Sequence, residues 1–453
     1  MKKDKILLPF IGITIIGIFL FSRVQASSSY LDELRPFLKA YQSIQNQYVE
    51  KVEPNILIEG AIKGMIESLN DPHSQWMSPK SYQEMEIEKE GEFGGLGIKI
   101  TMKDRLLVIV SPIEGTPASR AGLQPDDVIL RIDGSSTTGI TLNEAVSRLR
   151  GKPGTQVNIT IQREGEKEPF QITLVRDIIQ VPNLKKSLLP DEIGYIRIIG
   201  FTNENTANDL KTALINLKKE KIKGLILDLR NNPGGLLSQA IAVADQFLSS
   251  GIIVSTQGRE PESAHIYQAH SKGEGLKIPL IVLINEYSAS ASEIVAGALK
   301  DQKRAILTGT KTFGKGSVQS IIPLDNDGAM AITTAKYYTP SGVSIEGKGI
   351  EPDLKVDKFK LTVEEKKIVG KITESPSFTQ FLQQFPHWEE QNLEPLLKQL
   401  EEKELVVDKE LLKMILRQED KNEENDYLND SQLLQALSLF KSWQIFSTWT
   451  QHN

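Results

Sequence analysis

The chain has 453 residues, no cysteine and a net charge of −6. Its length suits about two to four domains and a substantial hydrophobic core. The missing cysteines exclude disulfides, thiolate metal sites and a lipoprotein anchor, and the acidic balance argues against nucleic acid as a partner.

Lys2, Lys3 and Lys5 precede an apolar run from Ile6 to Phe21, and Val24-Gln-Ala26 follows with the small residues of a cleavage-like pattern. Segment 1–26 reads as a secretory signal. The run is shorter than the roughly 20 residues of a full span, so cleavage and retention as an N-terminal membrane anchor both stay open. Either way the working chain is expected outside the cytoplasm.

Ser27–Ser29 is a polar linker, and a helical domain is expected over 29–90. There Leu34, Leu38, Tyr41, Ile44 and Tyr48 recur every three or four residues, Asp71-Pro72 breaks the pattern, and Ser81–Glu90 resumes it. Strand texture begins at Gly94-Gly-Leu-Gly-Ile98 and fills 92–178. Strands are expected at Leu106–Val110, within Asp127–Gly134 and, alternating in polarity, at Val157–Gln162. Leu142–Arg150 is an amphipathic helix with Ala145, Val146 and Leu149 on one face.

Over 180–356 strands alternate with helices. Strands Gly194–Ile198, Gly224–Leu229, Leu280–Ile284 and Ala305–Thr308 interleave with helices Asn205–Lys219, Leu236–Leu248 and Ala291–Lys300. That order predicts an α/β core with buried, largely parallel strands. Residues 357–453 are charged and helical, with Arg417–Asp430 expected to be a mobile connector.

Ser290, in Ser288-Ala-Ser-Ala-Ser-Glu-Ile294, follows a strand and opens a helix. The crevice at strand ends is where α/β sheets bind ligands. A helix start offers free N–H groups and a positive dipole end, which suit an oxyanion. Ala291 is the natural first donor, and the glycines of Asn231-Asn-Pro-Gly-Gly235 can supply a second. By themselves the three serines would read as helix caps. Lys315, in Thr312-Phe-Gly-Lys-Gly-Ser-Val-Gln319, changes that. A serine hydroxyl needs a base, and lysine serves only when burial keeps it uncharged. Phe313, Gly314 and Gly316 are apolar or tiny, as a dry amine requires. Gln319 is placed to orient the amine. Glu293 is either a buried organiser of the site or an ordinary first-turn helix charge.

Gly309–Gly316 nearly matches a phosphate loop, but Gly316 stands where a hydroxyl is needed and a strand-like run follows instead of a helix. The five histidines, His73, His265, His270, His387 and His452, form no zinc pattern and lack clear carboxylate partners.

These motifs resemble those of the carboxy-terminal processing peptidases, or tail-specific proteases. The matching stretches are Phe93–Ile98, Gly115–Gly122, Leu227–Gly235, Ser288–Glu293 and Phe313–Gln319, within roughly Leu31 to Asp353. The resemblance implies an α/β crotonase-like (ClpP/crotonase) protease core with an inserted β-rich PDZ domain, flanked by N- and C-terminal helical regions. It implies Ser290 as nucleophile, Lys315 as general base and Gln319 as its positioner. The oxyanion donors would be Ala291 and either Gly234 or Gly235. No cofactor or metal is expected. The PDZ carboxylate loop would be Gly95-Leu96-Gly97-Ile98, with Leu96 and Ile98 lining an apolar pocket. In relatives this module gates the site, and Arg148 or Arg150 is a candidate relay.

The expected function is a serine endopeptidase that cuts proteins near their C-termini, in the bacterial periplasm or on the outer face of the cytoplasmic membrane. Its partners would be proteins or peptides with accessible C-terminal tails, with room for a homodimer and a regulatory adaptor. Two rivals stand beside it: a non-catalytic PDZ scaffold that delivers tails to another protease, and a crotonase-like acyl-CoA enzyme, which the export signal disfavours.

Overall fold

The computed structural model describes residues 31–180, 182–270, 277–357, 362–385, 388–403, 405–419, 427 and 430–450. The signal or anchor segment 1–26, the linker Ser27–Ser29, His387 and His452 lie outside them. The chain divides into two units, Met1–Ser78 with Ile321–Ile332 and Pro79–Ser320 with Thr333–Asn453.

In the first unit, helix 31–47 is followed by helix Pro54–Glu67, whose proline occupies the first turn, where no N–H bond is lost. A three-residue strand not expected from the sequence, Gln75–Met77, pairs antiparallel with Ala329–Ala331. So short a run carries no periodicity of its own. It is a strand because a distant segment supplies its ladder. Lys63 sits 4.5 Å above the Trp76 ring.

The second unit contains a β-rich module, an α/β core and a helical end. The module's sheet runs in the order Ile98–Lys103, Leu106–Pro112, Val128–Ile132, Gln156–Gln162, Phe170–Val175. Val157, Ile159 and Ile161 are fully buried while Asn158, Thr160 and Gln162 are not, as the alternation predicts. Helix Leu142–Leu149 is capped by Thr141, whose side chain accepts the Glu144 N–H. Asp127, fully buried, holds Arg163 through two bonds of 2.7 and 2.8 Å. Strand Ile98–Lys103 pairs only with Leu106–Pro112, so its outer edge is open among the described residues.

The core sheet has six strands in the order Leu184–Leu189, Ile193–Ile198, Gly224–Asp228, Leu280–Ile284, Ile306–Gly309, Leu354–Lys355. The first pair is antiparallel and the rest parallel. Gly224–Asp228 and Leu280–Ile284 are buried throughout, which explains their unbroken apolar sequence. Leu225, Leu227, Val282 and Ile284 pack with helices Thr206–Lys219, Leu237–Asp245 and Ala291–Asp301. Ile226, Ile281 and Leu283 pack with Leu433, Ala436 and Phe440 of the last helix, Ser431–Thr450. That helix therefore forms a layer of the core, although nearly 80 residues separate it from the last sheet strand. Gly224 lets it close in: a Cβ there would lie 2.5 Å from the Phe440 ring.

A further sheet includes Ile252–Gly258, His265–Gln268, Ser317–Pro323 and Ala329–Tyr338, of which the sequence predicts only the run from Ser317. His265 thus lies on a strand, not in a loop. Helices Val363–Thr373, Pro376–Gln384, Leu393–Glu401 and Lys409–Glu419 share their own apolar cluster.

Most of the expected connector Arg417–Asp430 lies outside the described residues, but its last residue is anchored. Asp430 accepts two bonds from Arg230, of 2.8 and 2.6 Å, and also the N–H groups of Gln432 and Leu433 that open the last helix. Burial pushes the Asp430 carboxyl up, but Arg230 and these N–H groups outweigh it and hold it below the usual aspartate range. A depressed carboxyl contributes stability above its unfolded value, and that contribution is lost as pH falls through the folded one. Asp430→Asn should destabilise the protein by about 1–3 kcal/mol at pH 7. In urea titrations at several pH values, the gap to wild type should shrink below about pH 4. A gap constant with pH would contradict this assignment.

Candidate active site

Strand Leu280–Ile284 ends at a tight turn, and helix Ala291–Asp301 begins at once. Ser290 stands at the junction with φ +54° and ψ −114°, a conformation that costs a non-glycine residue roughly 1–3 kcal/mol. Its two companion serines are structural. Ser288 is buried, donating to the Leu229 carbonyl and accepting the Asn285 N–H. Ser292 is buried, donating to the Asn232 carbonyl. Ser290, half-buried, is the serine of the three left to face the site.

The glycine loop is fastened beside it. Asn232 is fully buried: its amide donates to Ile198, its side-chain oxygen accepts the Gly234 N–H at 2.9 Å, and its carbonyl takes the Ala289 N–H. A Cβ on Gly234 (φ +101°) would lie 2.7 Å from the Ser290 Cβ, so only glycine lets this loop touch the serine. The Ala291 and Gly235 N–H groups meet no acceptor among the described residues, whereas Gly234 has spent its own on Asn232.

Glu293 resolves the two readings of its role. It is fully buried, and its carboxylate accepts the N–H groups of Ser290 (2.8 Å), Gly314 (2.7 Å) and Lys315 (2.9 Å) and the Thr312 hydroxyl (2.5 Å). Burial raises its protonation range above the ordinary one, with the four donors pulling the other way. The Phe313 N–H adds a bond to the Ser288 carbonyl, and the Gly316 N–H one to Glu346. The N–H groups of Gly314, Lys315 and Gly316 are thus all engaged, and strand Ser317–Pro323 follows, so this segment cannot cradle a phosphate.

Lys315 is half-buried. Phe313 is 62% exposed and does not supply the expected dryness. The buried aromatic beside the lysine is instead Tyr337, 1% exposed, a residue the sequence reading missed. Its phenol donates to the Lys315 carbonyl. Gln319 donates to the Ser317 and Thr333 hydroxyls, and its amide oxygen meets no donor among the described residues.

Also missed was the Asp228–Arg230 pair that roots the glycine loop. Buried Asp228 binds Arg230 through two bonds and accepts the Tyr195 hydroxyl at 2.8 Å. Neither remaining described histidine of the core approaches such an arrangement: His265 is exposed, and the His270 ring rests on the Gln268 carbonyl.

In the β-rich module, the carbonyls of Leu96 and Gly97 accept the Ala118 and Ile113 N–H groups, and their own N–H groups meet no acceptor among the described residues. Gly97 (φ +74°) must be glycine, because a Cβ would run into Thr116 at 2.3 Å. This is the geometry of an anion nest. Leu96 belongs to the module's core, so of the two expected pocket residues Ile98 is the one left at the open edge. Arg148 pairs with Glu144 at 3.0 Å, and Arg150 stacks on Phe93 at 4.3 Å.

Family models match three parts of the chain: Peptidase family S41 over residues 192–356, a PDZ domain over 94–174, and the activating protease CtpB N-terminal domain over 20–81. A carboxy-terminal-processing protease of Bartonella bacilliformis is 49% identical over 330 residues, covering 72% of this chain and 75% of that one. The carboxy-terminal processing protease CtpA of Bacillus subtilis is 38% identical over 319 residues, covering 70% and 68%. A solved photosystem II D1 C-terminal processing protease is 30% identical with a TM-score of 0.42, covering 71% of this chain and 92% of that one.

Glu293→Gln turns an NH₂ group toward N–H donors and leaves at least one of them unmet. It should cost about 1–3 kcal/mol of stability and slow the labelling of Ser290 by a fluorophosphonate probe. Wild-type stability and labelling together would show that the carboxylate does not organise the site.

Proposed function

The chain belongs to the carboxy-terminal processing protease family, peptidase family S41, and on that premise we propose that it is an exported serine endopeptidase working through Ser290 and Lys315. The observation that carries this reading is the shared Glu293 carboxylate, which ties the turn bearing Ser290 to the loop bearing Lys315. Lysine reaches through a flexible four-carbon stem. With its main chain pinned beside the Ser290 turn, the stem is proposed to bring Nζ to the Ser290 hydroxyl when substrate is bound, since catalytic hydrogen bonds often tighten only then.

In the proposed reaction the uncharged Lys315 amine takes the Ser290 proton as Oγ attacks a peptide carbonyl. The oxyanion is met by the Ala291 N–H and by an N–H of Gly234–Gly235, of which Gly235's is open. The C–N bond breaks, and the leaving amine recovers the proton from Lys315. Water, deprotonated by the same lysine, then hydrolyses the ester and frees Ser290. The open amide oxygen of Gln319 supports its role as an acceptor that steadies Lys315.

The PDZ module is assigned the capture of substrate tails. The loop Gly95–Ile98 offers N–H groups for a terminal carboxylate, and edge strand Ile98–Lys103 offers a ladder for an added strand. Arg148 or Arg150, at the end of helix Leu142–Leu149, is the proposed relay to the core. The parallel strands and flanking helices support a crotonase-like core. The basic, then apolar, N-terminus supports action in the periplasm or on the outer face of the cytoplasmic membrane.

Lys315→Ala should remain folded and bind a tail peptide with unchanged affinity in fluorescence anisotropy. Its turnover of an unstructured protein with a free C-terminus should fall roughly 10³-fold or more. Near-normal turnover would remove Lys315 as the base. Binding without cutting by the wild-type protein would instead support the scaffold reading.

A further inference from the structure

Tyr337 is the next-to-last residue of strand Ala329–Tyr338, and its ring is buried in the main core cluster with Ile345 and Ile350. Its position is held from both ends. The backbone N–H donates to the Gly316 carbonyl at 2.9 Å, and the phenol donates to the Lys315 carbonyl. Both of these contacts fall on the main chain that carries Lys315.

We propose that Tyr337 is a positioning residue for the base, its phenol and its backbone N–H holding the main-chain carbonyls of Lys315 and Gly316. The inference rests on Ser290 and Lys315 being nucleophile and base, and deepens that reading. Three features fit the task. The residue sits on a strand, so its backbone cannot drift with the loops it connects. A tyrosine has only two main side-chain torsions to fix, so ordering it costs little. Burial drives its ionisation far above the ordinary tyrosine range, so it stays neutral at working pH and places no charge beside Lys315. The contact goes to the lysine's carbonyl and not to its amine. The main chain is therefore fixed while the side chain keeps the freedom to approach the serine.

This division of labour differs from that of Glu293. The carboxylate engages the N–H groups of Gly314 and Lys315, whereas Tyr337 engages the carbonyls of Lys315 and Gly316. Between them, donors and acceptors of the lysine's peptide unit are both committed.

The test is Tyr337→Phe, which keeps the buried ring and removes only the hydroxyl, with Tyr338→Phe as the neighbouring control. Turnover is measured on an unstructured peptide with a free C-terminal carboxylate. The proposal expects kcat to fall roughly tenfold or more with KM within about twofold of wild type, and fluorophosphonate labelling of Ser290 to slow in parallel. The acid limb of the kcat–pH profile should move to higher pH, because a looser loop lets water reach the Lys315 amine. Unchanged or increased kcat, a loss confined to KM, or an unmoved pH limb would each overturn it. Should the variant be unstable, labelling is scored on the folded fraction isolated by gel filtration, with the same two readings. Ser290→Ala and Lys315→Ala are run alongside. If they retain turnover, the nucleophile and base assignment fails. If they lose it while Tyr337→Phe does not, only the role of Tyr337 fails.

Discussion

The Glu293 carboxylate has no exposed surface and accepts four hydrogen bonds, one from the Ser290 turn and three from the segment Thr312–Lys315. A buried charge without such donors would be severely destabilising. Its burial is tolerable only while both segments are in place, so the carboxylate converts a cost into a geometric requirement. Two loops far apart in sequence must meet at one point or leave a charge unsatisfied. The first turn of helix Ala291–Asp301 adds the favourable end of its dipole. The strain at Ser290 is sustained by this same node, since a positive φ persists in a serine only when its surroundings over-determine it.

A second node supports the first from the opposite side of the sheet. Arg230 binds Asp228 at the end of strand Gly224–Asp228 and Asp430 at the start of the last helix. The glycine loop that touches Ser290 begins one residue after Arg230. The last helix also covers the sheet face formed by Ile226, Ile281 and Leu283. Its docking therefore bears on the loop through a charge pair and on the strands through apolar burial. Gln432 contributes a further bond, to the Val356 carbonyl.

Much of this was legible in the sequence, for identifiable reasons. The strands Gly224–Asp228 and Leu280–Ile284 are buried on both faces and read as unbroken apolar runs, and the helices between them keep one apolar face. The Ser290 and Lys315 motifs stood out because glycines and small residues mark places where backbone must pass closely. What stayed hidden depends on contacts between distant segments. Strand Gln75–Met77 is too short to show a period, and the sheet of Ile252–Gly258 and Ala329–Tyr338 has mixed burial. Tyr337 carried no motif, and its value lies in what its hydroxyl meets after folding. Glu293 was ambiguous because a first-turn glutamate reads the same whether it faces water or a buried loop. Phe313 misled for the converse reason: an apolar residue beside the lysine is 62% exposed, and the buried aromatic that meets the lysine's main chain is a strand residue 22 positions after Lys315.

The most direct test of this arrangement is a crystal structure of the enzyme with a peptidyl phosphonate or boronate bound covalently to Ser290. The account predicts Lys315 Nζ within about 3 Å of the Ser290 Oγ, with the Ser290, Gly314 and Lys315 N–H groups still on Glu293. A fully formed adduct with the Lys315 amine in bulk water, or with Glu293 released from either segment, would contradict it.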